Sequence, residues 1–239
     1  MADQVDTNGA APPRELEEEP PVEIHKPRPW HGFSEFLKEY LIIVVGVLTA
    51  LAGEQLVERI HLQTEMAEAR EALHAELADN AATARFVGVE VGCLGKQLDA
   101  FDAWAKGGPH PGPMRTSLPA YASSAWDIVK SGAVAHMPLK ERLAYSRYYD
   151  LVDDSRFAIQ TTHTTFRQIG AIGNHDTLTA EDARRLVEAL DQARFMGRVR
   201  IGTGEQLIDK AMALKIAPNP YSLDAKEKLT RICDRPFEG

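Results

Sequence analysis

The sequence predicts an all-α protein: one N-terminal transmembrane helix followed by an antiparallel helical bundle built from long, heptad-patterned helices. Three observations carry this. One uninterrupted, uncharged apolar run, YLIIVVGVLTALAG at Tyr40–Gly53, stands near the start of the chain. Two later stretches repeat apolar residues every seven positions, the period of a helical seam and not of a strand. Aromatic residues make up only 7% of the 239, and alternating β-branched runs are scarce, which leaves little material for a sheet.

Residues 1–32 read as a disordered, acidic, proline-rich tail. Prolines at 12, 13, 20, 21, 27 and 29, with the Glu15–Glu19 acid cluster, leave nothing to bury. A solvated tether is the plain reading and a short docking motif the sharper one. Up to residue 39 the chain holds nine acids and four bases, which accounts for five of its eight net negative charges. The rest is mildly acidic. No basic patch interleaved with aromatics points to nucleic acid.

Residues 33–60 are expected to cross a lipid bilayer as one helix. The run Tyr40–Gly53 alone would be about 21 Å long, short of the roughly 30 Å of a hydrocarbon core. Phe33, Phe36 and Leu37 before it and Leu56, Val57 and Ile60 after it extend the apolar surface. Lys38 can carry its ammonium out to the headgroups, and Trp30, Phe33 and Tyr40 are aromatics of the kind favoured at an interface. No proline interrupts Gly32–Ile60. The alternatives are a buried core helix of a soluble protein and a cleaved signal peptide. Ala50-Leu51-Ala52 offers the second an A-x-A site, but the long acidic segment ahead of it is not a short basic n-region. Gly46, Ala50 and Gly53 supply small residues for close helix packing, and with them a homo-oligomer. Lys26, Arg28 and Lys38 on the N-terminal flank outnumber Arg59 and Arg70 on the other. That bias favours a cytoplasmic N-terminus in the inner membrane and a periplasmic domain at 61–239, with an envelope protein or a second copy as its partner.

Within residues 61–239, Glu54 to about Lys106 reads as one helix continuous with the apolar run. Leu77, Ala84, Val91, Leu98 and Ala105 form one seam; Leu73, Asn80, Val87, Leu94 and Phe101 form a second beside it. Asn80 is a polar residue in a seam position, where it can fix register at a cost in stability. Its i,i+4 neighbour Glu76 makes a small polar site conceivable, although a register or solvated pair is the plainer reading. Gly107-Gly108-Pro109-His110-Pro111-Gly112-Pro113 ends the helix. A shorter helix is expected at about 120–131. Pro138 then suits the first position of a helix to Ile172, whose seams are Tyr145, Val152, Ile159, Phe166 and Tyr148, Ser155, Thr162, Ile169. Its matching length suggests antiparallel packing against the first helix. After a turn at Gly173–Asp176, Thr179 caps a helix from Ala180 to about Ile216, with Gly197, Gly202 and Gly204 weakening its middle. Ser222 caps a last short helix to about Ile232.

The chemistry-bearing residues are few. Cys93 and Cys233 stand alone, with no CxxC and no zinc spacing. An even count in a domain placed outside the cytoplasm suggests a disulfide, which would close a loop worth on the order of 4–5 kcal/mol in the chain-entropy account. Two unrelated buried thiols are the alternative. His136, His163 and His175 lie in different segments without an HExxH or H-x3-H pair, so surface or flank histidines are favoured over metal ligands. Asn174-His175-Asp176 reads as a turn. Gly202-Thr203-Gly204 lacks the context of a phosphate cradle, and Ser123-Ser124 lacks that of a nucleophile elbow. No catalytic, cofactor-binding or metal constellation emerges.

Several segments line up together: FLKEYLIIVVGVLTALAGEQLVERI at the apolar helix, ALHAELADN at 72–80, SSAWDIVKSGAVAHM at 123–137 and ERLAYSRYYDLVDD at 141–154. They resemble bacterial single-pass membrane proteins of unknown function of the DUF6090 type. Trp126, Ser131, Gly132, Tyr148 and Tyr149 match that type's Trp/Ser-Gly element and Tyr-rich helix. The resemblance covers about residues 33–155 and implies a membrane address without an activity. The long acidic tail and Cys233 depart from it. The expected function is binding, scaffolding or sensing through helix contacts, and not catalysis. The competing expectation is a ligand-binding receptor or enzyme with a pocket around Trp126, His136, Tyr145 and Tyr148.

Overall fold

A computed structural model describes residues 32–234. The expected tail, with Trp30, lies outside these residues apart from Gly32. Among the described residues the regular structure is wholly helical. The chain divides into two compact units, one ending at Glu54 and one starting at Gln55.

Helix α1 is Gly32–Ala105. In the first unit its apolar residues are bare: Ile42, Ile43 and Leu48 are all exposed. Thr49 in the apolar run finds its partner locally, donating from Oγ1 to the Val45 carbonyl at 2.7 Å, which suits an apolar surrounding. The helix is long and apolar enough to cross a membrane, and none of its most apolar window is buried.

In the second unit the core begins near Met66 and Ala69 of α1. α1 closes with a Schellman turn: the Gly107 N–H donates to the Trp104 carbonyl and the Gly108 N–H to that of Ala103. Gly107, at φ 94°, supplies the left-handed residue that this turn requires. The chain then runs back along α1 as an irregular strap, takes one and a half turns as α2 (Ser124–Val129) and a 3-10 turn at Ala133–His136, and enters α3 (Leu139–Ile172). The helix expected at 120–131 is therefore shorter. Residues 115–123 stay irregular because side chains of α1 hold their backbone. Pro138 sits one residue before the first turn, at the N-cap.

α3 turns sharply into α4 (Ala180–Ala213), whose start carries a full capping box between Thr179 and Asp182. α4 stops three residues short of Ile216. Lys215 adopts the left-handed conformation, and the Ile216 N–H folds back to the Ala211 carbonyl at 2.9 Å. α5 (Leu223–Cys233) follows, capped by Ser222 Oγ accepting from the Ala225 N–H.

The relation of α1 to α3 corrects the expected antiparallel pairing. Arg70 meets Glu141, His74 meets Tyr145, and Glu76 meets Tyr149. Both numbers rise together, so the two helices run parallel. The strap is the reason: it carries the chain back the length of the core before α3 begins, whereas only a short link would force neighbours antiparallel. α4 is the helix that runs antiparallel to α1. Ala84 lies against Gly204, Val91 against Gly197, Glu90 against Arg200 and Asp99 against Arg194.

The glycines of α4 do not break it. A Cβ on Gly197 would stand 3.0 Å from Val91 Cγ1, and one on Gly204 3.4 Å from Ala84 Cβ. They let α4 approach α1 closely, and this contact offsets their low helix propensity. Leu73, Leu77, Tyr145, Tyr148, Val152 and Leu207 fill one core cluster. Phe101, Trp104, Ile169, Leu186 and Leu190 fill a second at the other end. α5 lays Leu229 and Ile232 on Phe86 and Leu94 in a third. The seam Leu73, Asn80, Val87, Leu94, Phe101 is buried throughout, as is Tyr148, Ser155, Thr162, Ile169 in α3.

Candidate functional site

The most distinctive chemistry is a polar column on α1. Glu76, Thr83, Glu90 and Gln97 recur every seven residues, so they share one face, and Asn80 lies one turn from Glu76. The strap lies along this face. An irregular segment inside a helical domain has no ladder to satisfy its backbone, and Glu76, Asn80, Glu90 and Gln97 supply the partners.

Gln97 Oε1 accepts from the Arg115 N–H at 2.8 Å, while its amide nitrogen donates to the Arg115 and Ile232 carbonyls, both at 3.1 Å. Glu90, fully buried, accepts from the N–H groups of Ser117 and Leu118 at 2.8 and 3.0 Å through one oxygen. Its other oxygen accepts from Arg200 at 3.1 Å. Leu118 is held at φ 47°, a conformation costing a non-glycine residue on the order of 1–2 kcal/mol. That strain aims two successive N–H groups at one carboxylate, a small anion nest. Asn80 closes a two-way pair with Ala122, accepting its N–H at 2.7 Å and donating to its carbonyl at 2.8 Å. Glu76 takes Ser124 Oγ–H, the N–H groups of Ala125 and Trp126, and the Tyr149 hydroxyl at 2.6 Å. Three of those four donors belong to the first turn of α2, where a carboxylate complements the helix dipole.

Trp126 is half-buried and stacks on Tyr149, with centroids 4.9 Å apart and planes 8° from parallel. Glu76 and the Trp126 ring thus grip Tyr149 together. Burial and the Glu76 hydrogen bond both push the Tyr149 hydroxyl well above the usual phenol range.

The cysteines meet: Cys93 and Cys233 form a disulfide. It fixes the end of α5 to the C-terminal part of α1, beside the Gln97 contact to Ile232. Arg115 adds a tie from the strap, donating to Asp234 Oδ1 at 3.0 Å.

The other residues singled out in the sequence lie in several parts of the fold. Asn80 is buried as a backbone clamp for the strap. Tyr145 and Tyr148 fill one core cluster against which the half-buried Trp126 packs, while His136 is exposed at the end of the 3-10 turn. His163 is exposed on α3. His175 lies in the turn before α4, 3.7 Å from Asp182. Gly46, Ala50 and Gly53 are exposed along the apolar run. Among the described residues no group of three or more His, Cys, Asp or Glu side chains is placed to hold a metal ion.

Comparison with known proteins adds no relative: no family model, no curated protein and no solved structure matches the chain.

Sequence reasoning passed over Glu90, Arg200 and Gln97. The signal was present as the seven-residue polar repeat from Glu76 to Gln97, which parallels the apolar seams. What the arrangement does chemically is hold: charged and amide side chains replace the ladder that an irregular strap lacks.

Proposed function

We propose that this protein is a single-pass membrane protein of the bacterial envelope, of the kind that the resemblance around Trp126, Gly132, Tyr148 and Tyr149 implies. Residues 33–60 cross the inner membrane with the N-terminal tail in the cytoplasm. Residues 61–239 form a periplasmic helical domain that binds, scaffolds or senses and does not catalyse.

The observation that carries this reading is the Cys93–Cys233 disulfide in a chain whose first helix is long and apolar enough to cross a membrane. Disulfides persist in oxidising compartments and are rare in the cytosol, so the bond argues for a domain outside. The flanking Lys and Arg bias points the same way. A clamped strap, a filled core and a stapled C-terminal helix suit a rigid surface that meets a partner. The bare small residues Gly46, Ala50 and Gly53 suit a second copy in the bilayer.

The test is topology and redox state together. The full chain is expressed in bacteria, membrane and soluble fractions are separated, and intact spheroplasts are treated with a membrane-impermeant maleimide before and after reduction. Membrane-bound protein labelled only after reduction is the expected result. Soluble protein, or thiols that label only after lysis, would sink the reading. Light scattering in mild detergent tests the assembly, and a monomer there counts against the homo-oligomer.

A further inference from the structure

We propose that the groove between the start of α3 and the end of α4 binds a glycerophospholipid with a negatively charged headgroup. The inference rests on the membrane reading above and names a ligand for the domain.

The groove has a volume of about 490 Å³, within the range of small-molecule sites. Its floor is apolar, formed by Pro138, Ala144, Ala213 and Leu214. Its rim carries Lys140, Arg147 and Lys210, and among the described residues none of these three is in an ion pair. One acid, Glu141, also lines it. Arg70 already holds that carboxylate in a two-point contact, Nε to Oε1 at 2.6 Å and Nη2 to Oε2 at 3.0 Å, so it repels an incoming anion little. Apolar floor and cationic rim together fit one molecule that has both a hydrocarbon chain and a phosphate. A soluble anion would leave the floor unused.

The surface beside the groove favours the same occupant. Leu139, Leu143 and Met212 are 61%, 44% and 53% exposed, large apolar side chains next to a cationic site. Basic residues near an anionic lipid surface each add to its attraction, and arginine adds a planar fork for phosphate.

The experiment uses the full chain purified in an uncharged detergent. It is irradiated with phosphatidylglycerol bearing a photoreactive acyl chain, and in parallel with phosphatidylcholine bearing the same chain. Cross-linked peptides are then mapped. Phosphatidylglycerol should label 138–147 and 210–214 at least about tenfold more than phosphatidylcholine. The triple variant Lys140→Gln, Arg147→Gln, Lys210→Gln should lose that excess while labelling of the apolar run stays unchanged. Ala144→Phe, which fills the floor and keeps the charges, should lower groove labelling by both lipids. Equal labelling by both lipids, labelling confined to 32–60, an excess that survives the triple variant, or full competition by glycerol phosphate alone would each overturn the proposal. A full chain found in the soluble fraction of cells that still shows the phosphatidylglycerol excess would sink the membrane reading and keep the groove. A membrane-bound chain without that excess would do the reverse.

Discussion

Glu90 of α1 and Arg200 of α4 form an ion pair at 3.1 Å in which neither side chain is more than 4% exposed. The same carboxylate also anchors the strap at Ser117 and Leu118. One side chain therefore ties together three parts of the chain that are distant in sequence. A buried pair of this kind adds little net stability over an apolar replacement, but breaking one side leaves a bare charge.

Substituting either partner alone should be severe. Glu90→Leu or Arg200→Met is expected to cost about 3–5 kcal/mol. The double variant Glu90→Leu, Arg200→Met removes both charges and should recover part of this. It should not recover all of it, because the N–H groups of Ser117 and Leu118 lose their acceptor, a residual of about 1–3 kcal/mol. Denaturant unfolding of the four proteins gives the cycle. Full recovery in the double variant would show that the strap does not depend on Glu90.

Glu76 accepts from four donors and can spare none. Glu76→Gln places an amide NH2 among donors and should destabilise the protein by about 2–4 kcal/mol. Because Trp126 stacks on Tyr149 beside this carboxylate, its fluorescence should shift towards that of an exposed indole before global unfolding. An unchanged emission spectrum would contradict the clamp.

Removing the disulfide should loosen one end only. Cys93→Ser with Cys233→Ser is expected to cost about 2–5 kcal/mol. Amide exchange should rise first over 223–233, while 145–152 and 186–207 stay protected. Uniform loss of protection would mean that the staple acts through the whole domain.

Two glycines of α4 should respond in opposite directions to alanine. Gly202 has open space where a Cβ would sit, so Gly202→Ala should stabilise by about 0.5–1 kcal/mol through helix propensity. At Gly197 the new methyl would meet Val91 Cγ1 at 3.0 Å, and Gly197→Ala should destabilise by about 1–3 kcal/mol. Thermal unfolding of both variants decides it, and a gain in both would mean that the helices separate easily.

Alkali should weaken the bundle. Burial pushes the Tyr121 hydroxyl up to about 12, with Arg200 opposing. Burial, then Glu141, pushes Tyr145 up to about 12, with Arg70 opposing. A folded value above the unfolded phenol value near 10 means that this stability is fully present below about pH 10 and is lost as pH rises towards 12. The denaturation midpoint should fall across that window, with phenolate absorbance lagging behind that of a free tyrosine. A flat midpoint would contradict it.

The sequence by itself determined the local facts. The apolar run, the GGPHPGP stop, the Thr179 and Ser222 caps and the seven-residue seams each depend on neighbours within a turn or two, and the structure has helices over the run and the seams, starting at the caps and ending before the stop. The same residues left the pairing open. Tyr145 and Val152 mark a buried face of α3, but a periodic face carries no information on whether its neighbour runs up or down. Strap length settled that, making α1 and α3 parallel. Gly197 and Gly204 read as weak points until α4 is seen pressed against Val91 and Ala84, since a glycine's meaning depends on what lies opposite it. Glu90 and Arg200 are separated by 110 residues, and a buried charge looks like any surface charge until its partner arrives. Only the tertiary structure could turn a polar repeat on α1 into the clamp that holds an irregular strap, because desolvation and hydrogen-bond partners are properties of the packed interior and not of the chain.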